Sequence, residues 1–411
     1  MKKVLIIVLL LAVAGGLVYS FGKMKKTDLP QEEWMDEEQE MKEMQEPEEP
    51  GVEKEINAFG FKVFRAVEDG KDVFLSPMSL TMALSLVTGG AEGRTAEAMM
   101  KTLGLAGWTR EDLGEYFRKT AEALQAADPK TTLEIANSIW VHSDTEVKPE
   151  FARWAEANYG AAAAAADFDA PETLEGINAW CAEKTHDKIG SILDQLSAGM
   201  KMLLLNALYF NGTWATPFSY SYTGRFHALD GSTPEARLME ETFRVPYYEE
   251  ETFQAVSLPY GNGSYSAVLI LPREGSDFRK FVKGFDGEAW NRTVRGFERE
   301  RVHVTAPKFR MEYEINLNKT LKGLGMELAF SNAADFSGLS PKSLKIGLVK
   351  QKTFVDFNEQ GTEAAAVTAI GMLETTAIPI DPKEFRADRP FLFAIRERAT
   401  GLVPFLGQKV Q

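Results

Sequence analysis

The chain offers few residues that could carry out catalysis. Its 411 residues include four histidines (His142, His186, His227 and His303) and one cysteine, Cys181. No histidine stands in an H-E-x-x-H spacing, and there is no G-x-S-x-G elbow, P-loop or dinucleotide-binding glycine motif. His303, between two valines, is predicted to be a surface or satisfied histidine, and Cys181 a small buried residue. The sequence therefore predicts a protein that is not an enzyme and that has no catalytic residues, metal site or cofactor.

The most unusual stretch of the chain is residues 358–376, NEQGTEAAAVTAIGMLETT, whose composition does not settle whether it forms a helix or a strand. Thr362 and the alanines after it favour a helix, but the stretch lacks an apolar stripe with which a helix could dock. In a strand, alternate side chains share a face. One face would be small or apolar: Thr362, Ala364, Ala366, Thr368, Ile370 and Met372. The other face would be Glu363, Ala365, Val367, Ala369, Gly371 and Leu373. The pattern would suit a segment that enters a sheet, and the alternative is a surface loop that never inserts.

Helices and strands that could receive such a segment are readable in the sequence. Ser76-Pro77 begins a helix with a hydroxyl cap and a proline at the first helical position, and Gly89-Gly90 ends it. MLLLNALYF (202–210) is apolar throughout and predicts a central strand covered on both faces. Its buried Asn206 requires a hydrogen-bond partner, since an unpaired buried amide costs about 1–3 kcal/mol.

The second half of the chain is rich in predicted strands. Residues 253–272 read as a hairpin that turns at 261–263. Alternation predicts further strands within 301–315, LNKTLKGLGM (317–326) predicts a short helix, and two strands end the chain. These elements predict an α+β protein with large antiparallel or mixed sheets.

The first fifty residues do not resemble a folded domain. Residues 1–22 begin with a charged start and a short apolar run, which predicts a signal peptide or an uncleaved N-terminal membrane anchor through 4–21. Residues 23–50 predict an acidic disordered linker, because 28–50 alone hold eleven carboxylates and one lysine. Either reading predicts a secreted or extracytoplasmic protein, membrane-anchored if the leader stays uncleaved. The linker accounts for much of the net charge of −14, and the chain is not expected to bind nucleic acid.

Residues 51–411 are predicted to form one domain that relies on a large core, because a single cysteine permits no intrachain disulfide. Several stretches of this domain, taken together and in order, resemble the serpin family. They are INAFGFKVF (56–64), FLSPMSLTMALSLVTGGAEGRTAEAM (74–99), ANSIWV (136–141), INAWCAEKTHDKI (177–189), LLLNALYFNGTWATPF (203–218), PKFRMEYEINLNKTLKGLGM (307–326), NEQGTEAAAVTAI (358–370) and FRADRPFLFAIRERATGLVPFLGQ (385–408).

The resemblance implies three β-sheets, eight or nine helices and an exposed reactive-centre loop that serves as protease bait. With the leader, it favours an exported member of prokaryotic type. The implied function is suicide inhibition of an extracellular serine protease: the loop is cleaved, an acyl-enzyme forms, and 362–373 inserts into the central sheet. The alternative is a non-inhibitory binding or structural module with the same fold.

The resemblance also assigns site residues. The hinge would be Glu359, Gly361, Thr362, Glu363, Ala364, Ala365 and Ala366. The region where the sheet opens would be Ser76, Pro77, Ser79, Asn206, Trp214 and Gln351. Gln351 stands where many relatives have histidine, which puts histidine-dependent pH sensitivity of opening in doubt. The six alanines at 161–166 would lie near the start of the central sheet.

Counting from Gly361 at the family's usual spacing places the reactive bond between Thr375 and Thr376, with Leu373 and Glu374 as alternative reactive residues. A threonine bait favours elastase-like or subtilisin-like proteases, in a covalent 1:1 complex with a monomeric inhibitor. Residues 109–125 mix both signs of charge, so no glycosaminoglycan site is expected.

Overall fold

The computed structural model describes residues 51–196, 199–362 and 381–411. The predicted leader (1–22) and acidic linker (23–50) lie outside these residues, as does most of the predicted reactive loop. Among the helices of the described ranges, none is long and apolar enough to span a bilayer.

Nine α-helices occur in the described residues. They are α1 (Gly51–Val67), α2 (Pro77–Thr88), α3 (Gly93–Leu103), α4 (Arg110–Ala126), α5 (Pro149–Tyr159), α6 (Pro171–Lys184), α7 (Phe278–Gly284), α8 (Gly287–Arg295) and α9 (Asn318–Leu321). Helix α2 begins and ends as predicted: Ser76 is its N-cap, Pro77 is its first residue and Gly89 follows its last residue. Every residue of α2 is buried, as expected of a helix that is covered on all sides.

The predicted helix at 317–326 is only partly α-helical. After α9 the chain widens into a π-type turn (Lys322–Met326) and then a short 3-10 turn (Glu327–Phe330). Gly325 has a φ of 121° inside this segment, a conformation that side chains other than glycine rarely adopt and that interrupts a regular helix.

Fifteen strands of the described residues form two hydrogen-bonded networks. The strands are β1 (Val73–Leu75), β2 (Thr132–His142), β3 (Ala162–Ala166), β4 (Met202–Thr213), β5 (Tyr220–Arg225), β6 (Glu235–Glu249), β7 (Phe253–Pro259), β8 (Tyr265–Pro272), β9 (Glu298–Pro307), β10 (Phe309–Asn316), β11 (Leu348–Asn358), β12 (Gly361–Thr362), β13 (Lys383–Arg386), β14 (Phe391–Glu397) and β15 (Phe405–Lys409).

The six-stranded sheet has the order β10-β11-β12-β4-β2-β3, and the nine-stranded sheet β1-β15-β14-β8-β7-β6-β9-β13 with β5 beside β6. Three sheets were expected. Two of the expected sheets are continuous because β6 is fifteen residues long and pairs with three other strands. Its residues 235–240 pair with β5, residues 238–247 with β9, and residues 247–249 with β7. The alanine run forms β3 at the edge of the six-stranded sheet, as expected.

The six-stranded sheet is covered on both faces, as the apolar sequence of β4 predicted. One face joins the main core, to which β4 contributes Leu204 and Leu208. The other face packs under α6 in a smaller cluster, where Ile177 and Cys181 lie over Leu205. Anything that enters the middle of this sheet therefore passes between the main core and α6.

Candidate functional site

The two central strands of the six-stranded sheet, β4 and β11, are paired over only part of their length. Residues 203–208 of β4 pair in parallel with residues 348–353 of β11. Beyond that point the strands diverge, and β12 lies antiparallel between them. We call the paired part the seam and the part that holds β12 the mouth. The mouth already contains Gly361, from the predicted hinge, and Thr362, the first residue of the predicted insertion segment.

Gly361 occupies a position that a larger residue could not. It pairs with Thr213 of β4 and Asn358 of β11. Its φ is 154°, and a Cβ atom would collide with the carbonyl oxygen of Gly212 and with Thr213. The close approach of the β4 backbone therefore explains the glycine at the entrance to the sheet.

Thr362 is buried in the mouth, with 1% of its surface exposed. Its hydroxyl lies 2.6 Å from the Tyr260 hydroxyl, and Tyr260 is fully buried. The Trp214 ring stacks on Tyr260 with centroids 4.2 Å apart, and its indole N–H donates to the carbonyl of Asn358 at 2.9 Å. Thr362 thus faces the core, the side that its place in the alternating pattern predicts.

Glu359 is held just outside the mouth. Its carboxylate forms an ion pair with Lys308 at 2.9 Å, and its backbone carbonyl accepts from the Phe218 amide at 3.0 Å. Partial burial by itself raises the pKa of Glu359, but the hydrogen bond from Lys308 and further bonds outweigh burial and hold that pKa below its ordinary value. The carboxylate is therefore charged at neutral pH and fixes the turn that leads into β12.

A cluster of uncharged polar side chains lies beneath the seam. Asn206, on β4, donates from its side-chain amide nitrogen to the Ser79 hydroxyl and, at 2.6 Å, to the side-chain oxygen (Oδ1) of Asn137. Ser79 therefore supplies the hydroxyl expected near this buried amide. Gln351, directly opposite on β11, donates from its side-chain amide to the side-chain oxygen (Oδ1) of Asn206 at 2.6 Å. This last bond crosses the seam, so the two strands cannot part without breaking it.

Gln351 also ties the seam to the start of α2. Its side chain accepts from the Ser76 amide at 2.9 Å and donates to the Ser76 carbonyl at 3.0 Å. The Ser76 hydroxyl donates to the Pro404 carbonyl at 2.6 Å, and Pro77 packs against Gly60, where a Cβ atom would not fit. We call Ser76, Ser79, Asn137, Asn206 and Gln351 the polar cluster. None of its side chains titrates near neutral pH.

The other candidates for chemistry have ordinary surroundings. His303 is satisfied by Thr242, 3.1 Å from its Nδ1 atom. Cys181 is fully buried, and burial raises the pKa of its thiol to about 12, which makes it unreactive. Both agree with the sequence-based interpretation.

The described residues contain one grouping of potential metal ligands, His142 with Asp167 and Asp169. The three ligand atoms lie within 4.8 Å of one another. Both carboxylates are exposed, and no further feature of this surface points to an ion.

The rest of the predicted site lies outside the described residues. This applies to the hinge positions Glu363, Ala364, Ala365 and Ala366 and to the reactive candidates Leu373, Glu374, Thr375 and Thr376. The sequence interpretation in turn missed Tyr260 and Lys308, the partners of Thr362 and Glu359. Each lies far from its partner in sequence, and the only signal for Tyr260 was an aromatic hydroxyl at the end of an apolar strand, which needs a partner when buried.

Comparisons with known proteins agree with this arrangement. The family model described as "Serpin (serine protease inhibitor)" matches residues 54–411. The chain is 31% identical over 372 residues to Iripin-2 of Ixodes ricinus, covering 88% of this chain and 94% of the relative. The chain therefore belongs to the serpin family.

Solved structures support the same fold. The thermophilic serpin Tengpin in its native state superposes with a TM-score of 0.82 at 31% identity, covering 89% of this chain and 95% of that one. A thyroxine-binding globulin complex with thyroxine has a TM-score of 0.78 at 24% identity, covering 88% and 99% of the two chains. The second likeness concerns the fold alone, and the thyroxine is a ligand of that protein. The description of the matching family names serine protease inhibitors, and one relative is the Intracellular coagulation inhibitor 2 of Tachypleus tridentatus.

Proposed function

We propose that this protein is a suicide inhibitor of an extracellular serine protease and that it works by inserting residues 362–373 between β4 and β11. The observation that carries the proposal is β12, in which the hinge residue Gly361 and the first residue of the segment, Thr362, are already paired in antiparallel register with both central strands. A surface loop that never inserts has no reason to begin in this position.

The register of β12 predicts where each later residue would fall. Thr362 pairs with Gly212 of β4 and Phe357 of β11, and each further loop residue would pair one position earlier in both strands. Met372 would then lie opposite Met202, the first residue of β4. The length of β4 therefore matches the predicted segment to within one residue.

The energetics favour insertion once the loop is cut. Entry breaks one ladder, the six parallel pairs of the seam, and creates two ladders, one on each side of the new strand. At about 1 kcal/mol net for each hydrogen bond, the ten residues 363–372 contribute on the order of 10 kcal/mol. That rivals the whole stability of a typical domain, ~5–15 kcal/mol. The uncut protein would then be kinetically trapped.

The chemical step belongs to the protease. Its serine oxygen attacks the carbonyl carbon of the residue before the scissile bond, the C–N bond breaks, and the new amino group leaves with a proton. The inhibitor remains attached by an ester. Insertion then pulls the protease across the molecule, and displacing its catalytic groups by about 1 Å costs roughly a hundredfold in the rate of ester hydrolysis.

The bait is proposed at Thr375–Thr376, with Leu373 and Glu374 as alternatives. A threonine suits proteases with modest primary pockets, of the elastase or subtilisin type. Leu373 would suit chymotrypsin-like enzymes and Glu374 glutamyl-specific ones. Export is part of the proposal because the sequence predicts an N-terminal leader, which would tether the protein to a membrane through residues 4–21 if it stays uncleaved.

Incubation with elastase, subtilisin and chymotrypsin tests the proposal. We expect a 1:1 adduct that survives a denaturing gel, together with a released C-terminal peptide that begins at Thr376. A protease whose active-site serine has been blocked beforehand is the control and should give no adduct. Cleavage of the loop without an adduct would contradict inhibition and favour the alternative, a non-inhibitory module. A peptide with another first residue would overturn the assignment of the bond.

A further inference from the structure

The mouth contains a pairing that the insertion mechanism does not by itself require. Tyr260, which follows β7, is fully buried, and its hydroxyl lies 2.6 Å from the Thr362 hydroxyl. Within the described residues, Thr362 is the hydrogen-bond partner that the structure gives this phenol. If Thr362 withdrew from the sheet, the phenol would remain buried without it.

The surroundings of Tyr260 hold the ring in place. Trp214 stacks on one face, with an interplanar angle of 13°, and Phe210 meets the ring edge-on at 5.1 Å. Gly212 passes close beside it, and a Cβ atom there would meet the ring at 3.0 Å. A ring packed in this way cannot turn to follow a departing partner. Burial also raises the pKa of Tyr260, so the phenol keeps its proton at physiological pH.

We propose that Tyr260 is a positioning residue that latches the hinge in the mouth through its hydrogen bond to Thr362. The latch favours the pre-entered position of Gly361–Thr362 over withdrawal. Leaving a buried hydroxyl unpaired costs roughly tenfold to a hundredfold in such an equilibrium. After cleavage, insertion would then continue from Thr362, which is already paired in the mouth, and would not require the hinge to enter the sheet first. This consequence rests on the proposed function, whereas the latch itself does not.

The chain supplies a matched control. Tyr265 is also fully buried and meets the same Phe210 ring, with centroids 5.7 Å apart. Its hydroxyl donates to the backbone carbonyl of Leu124, on α4, and not to the hinge. Tyr265→Phe therefore removes a comparable buried hydrogen bond without touching the latch.

A double-mutant cycle measured by hydrogen–deuterium exchange tests the latch without any protease. Tyr260→Phe and Thr362→Val each remove one hydroxyl and leave the other buried without its hydrogen-bond partner. Each should therefore lower the protection of a peptide covering residues 354–362 by roughly tenfold. The double variant lacks the bond but strands neither hydroxyl, so its loss of protection should be no greater than that of either single variant and well short of the product of the two losses. Tyr265→Phe should leave this peptide unchanged.

Two results would overturn the latch: unchanged protection in both single variants, or losses that simply multiply in the double variant. A second readout is the number of inhibitor molecules consumed per protease inactivated, which should rise in Tyr260→Phe and rise no further in the double variant. If the parent forms no adduct while the exchange cycle behaves as expected, the proposed function fails and the latch stands.

Discussion

Thr368→Val is the substitution that most specifically probes the inserted state. In the register of β12, Thr368 would pair with Asn206 of β4 and Gln351 of β11 at the same level. Those two residues are now directly opposite each other, and their side chains are bonded at 2.6 Å. Neighbouring strands lie about 4.8 Å apart, so a strand between them would separate β4 and β11 to about 10 Å. The direct bond would be lost.

The Thr368 hydroxyl would enter on the same face as these two amides and replace the lost bond. Valine has nearly the same shape but leaves the side-chain oxygen (Oδ1) of Asn206, and the Gln351 N–H that now donates to it, without a partner. That costs about 1–3 kcal/mol in the inserted state. If half of this cost is felt in the transition state, insertion slows roughly two- to tenfold. Hydrolysis of the acyl-enzyme ester then competes better with insertion, and more inhibitor is released as cleaved product.

The assay is the stoichiometry of inhibition, with gel densitometry of adduct and cleaved product. We expect Thr368→Val to give several-fold more cleaved product per adduct than the parent. Thr368→Ser keeps the hydroxyl and should behave like the parent. Equal partitioning in the valine variant would refute the proposed register, and failure of the serine variant would show that the methyl group matters and not the hydroxyl.

Three further predictions concern the mouth and the core. Thr362→Arg should turn the inhibitor into a substrate, because a charged side chain would be forced into the position that Thr362 now fills; undiminished adduct formation would count against insertion. Glu359 has a lowered pKa in the fold, so the stability that it contributes is complete above its unfolded pKa and is lost as pH falls through its folded pKa. The Glu359→Gln variant should therefore unfold at a lower temperature than the parent at neutral pH, and the two unfolding temperatures should converge in acid. A difference in unfolding temperature that stays constant with pH would argue against the ion pair with Lys308. Cys181 should resist thiol reagents in the native protein and react only on unfolding, and rapid native labelling would contradict its burial.

Local chemistry made much of the fold predictable. The caps of α2, the apolar run of β4 and the hairpin of β7 and β8 are set by residues near in sequence. The alternation of small residues placed Thr362 on the core side of a future strand, and the structure has it there. The burial predicted for Asn206 also predicted that its side chain has a hydrogen-bond partner.

The rest depends on contacts between distant parts of the chain. That β12 already lies inside the sheet follows from the divergence of β4 and β11, which no local pattern encodes. The pairing of Tyr260 with Thr362 joins residues 102 positions apart. The fusion of two sheets through β6 depends on how far one strand continues. The reactive bond at Thr375–Thr376 remains a prediction from spacing.

The most direct test of the central claim is to compare the intact protein with protein whose loop has been cut, and to follow thermal unfolding together with hydrogen exchange. A loop cut after Met372 should insert. Unfolding should then require a much higher temperature, since the inserted strand contributes on the order of 10 kcal/mol. The amides of residues 363–372 should become as protected as those of β4. A cut protein that unfolds at the same temperature as the intact one, with 363–372 exchanging freely, would contradict insertion.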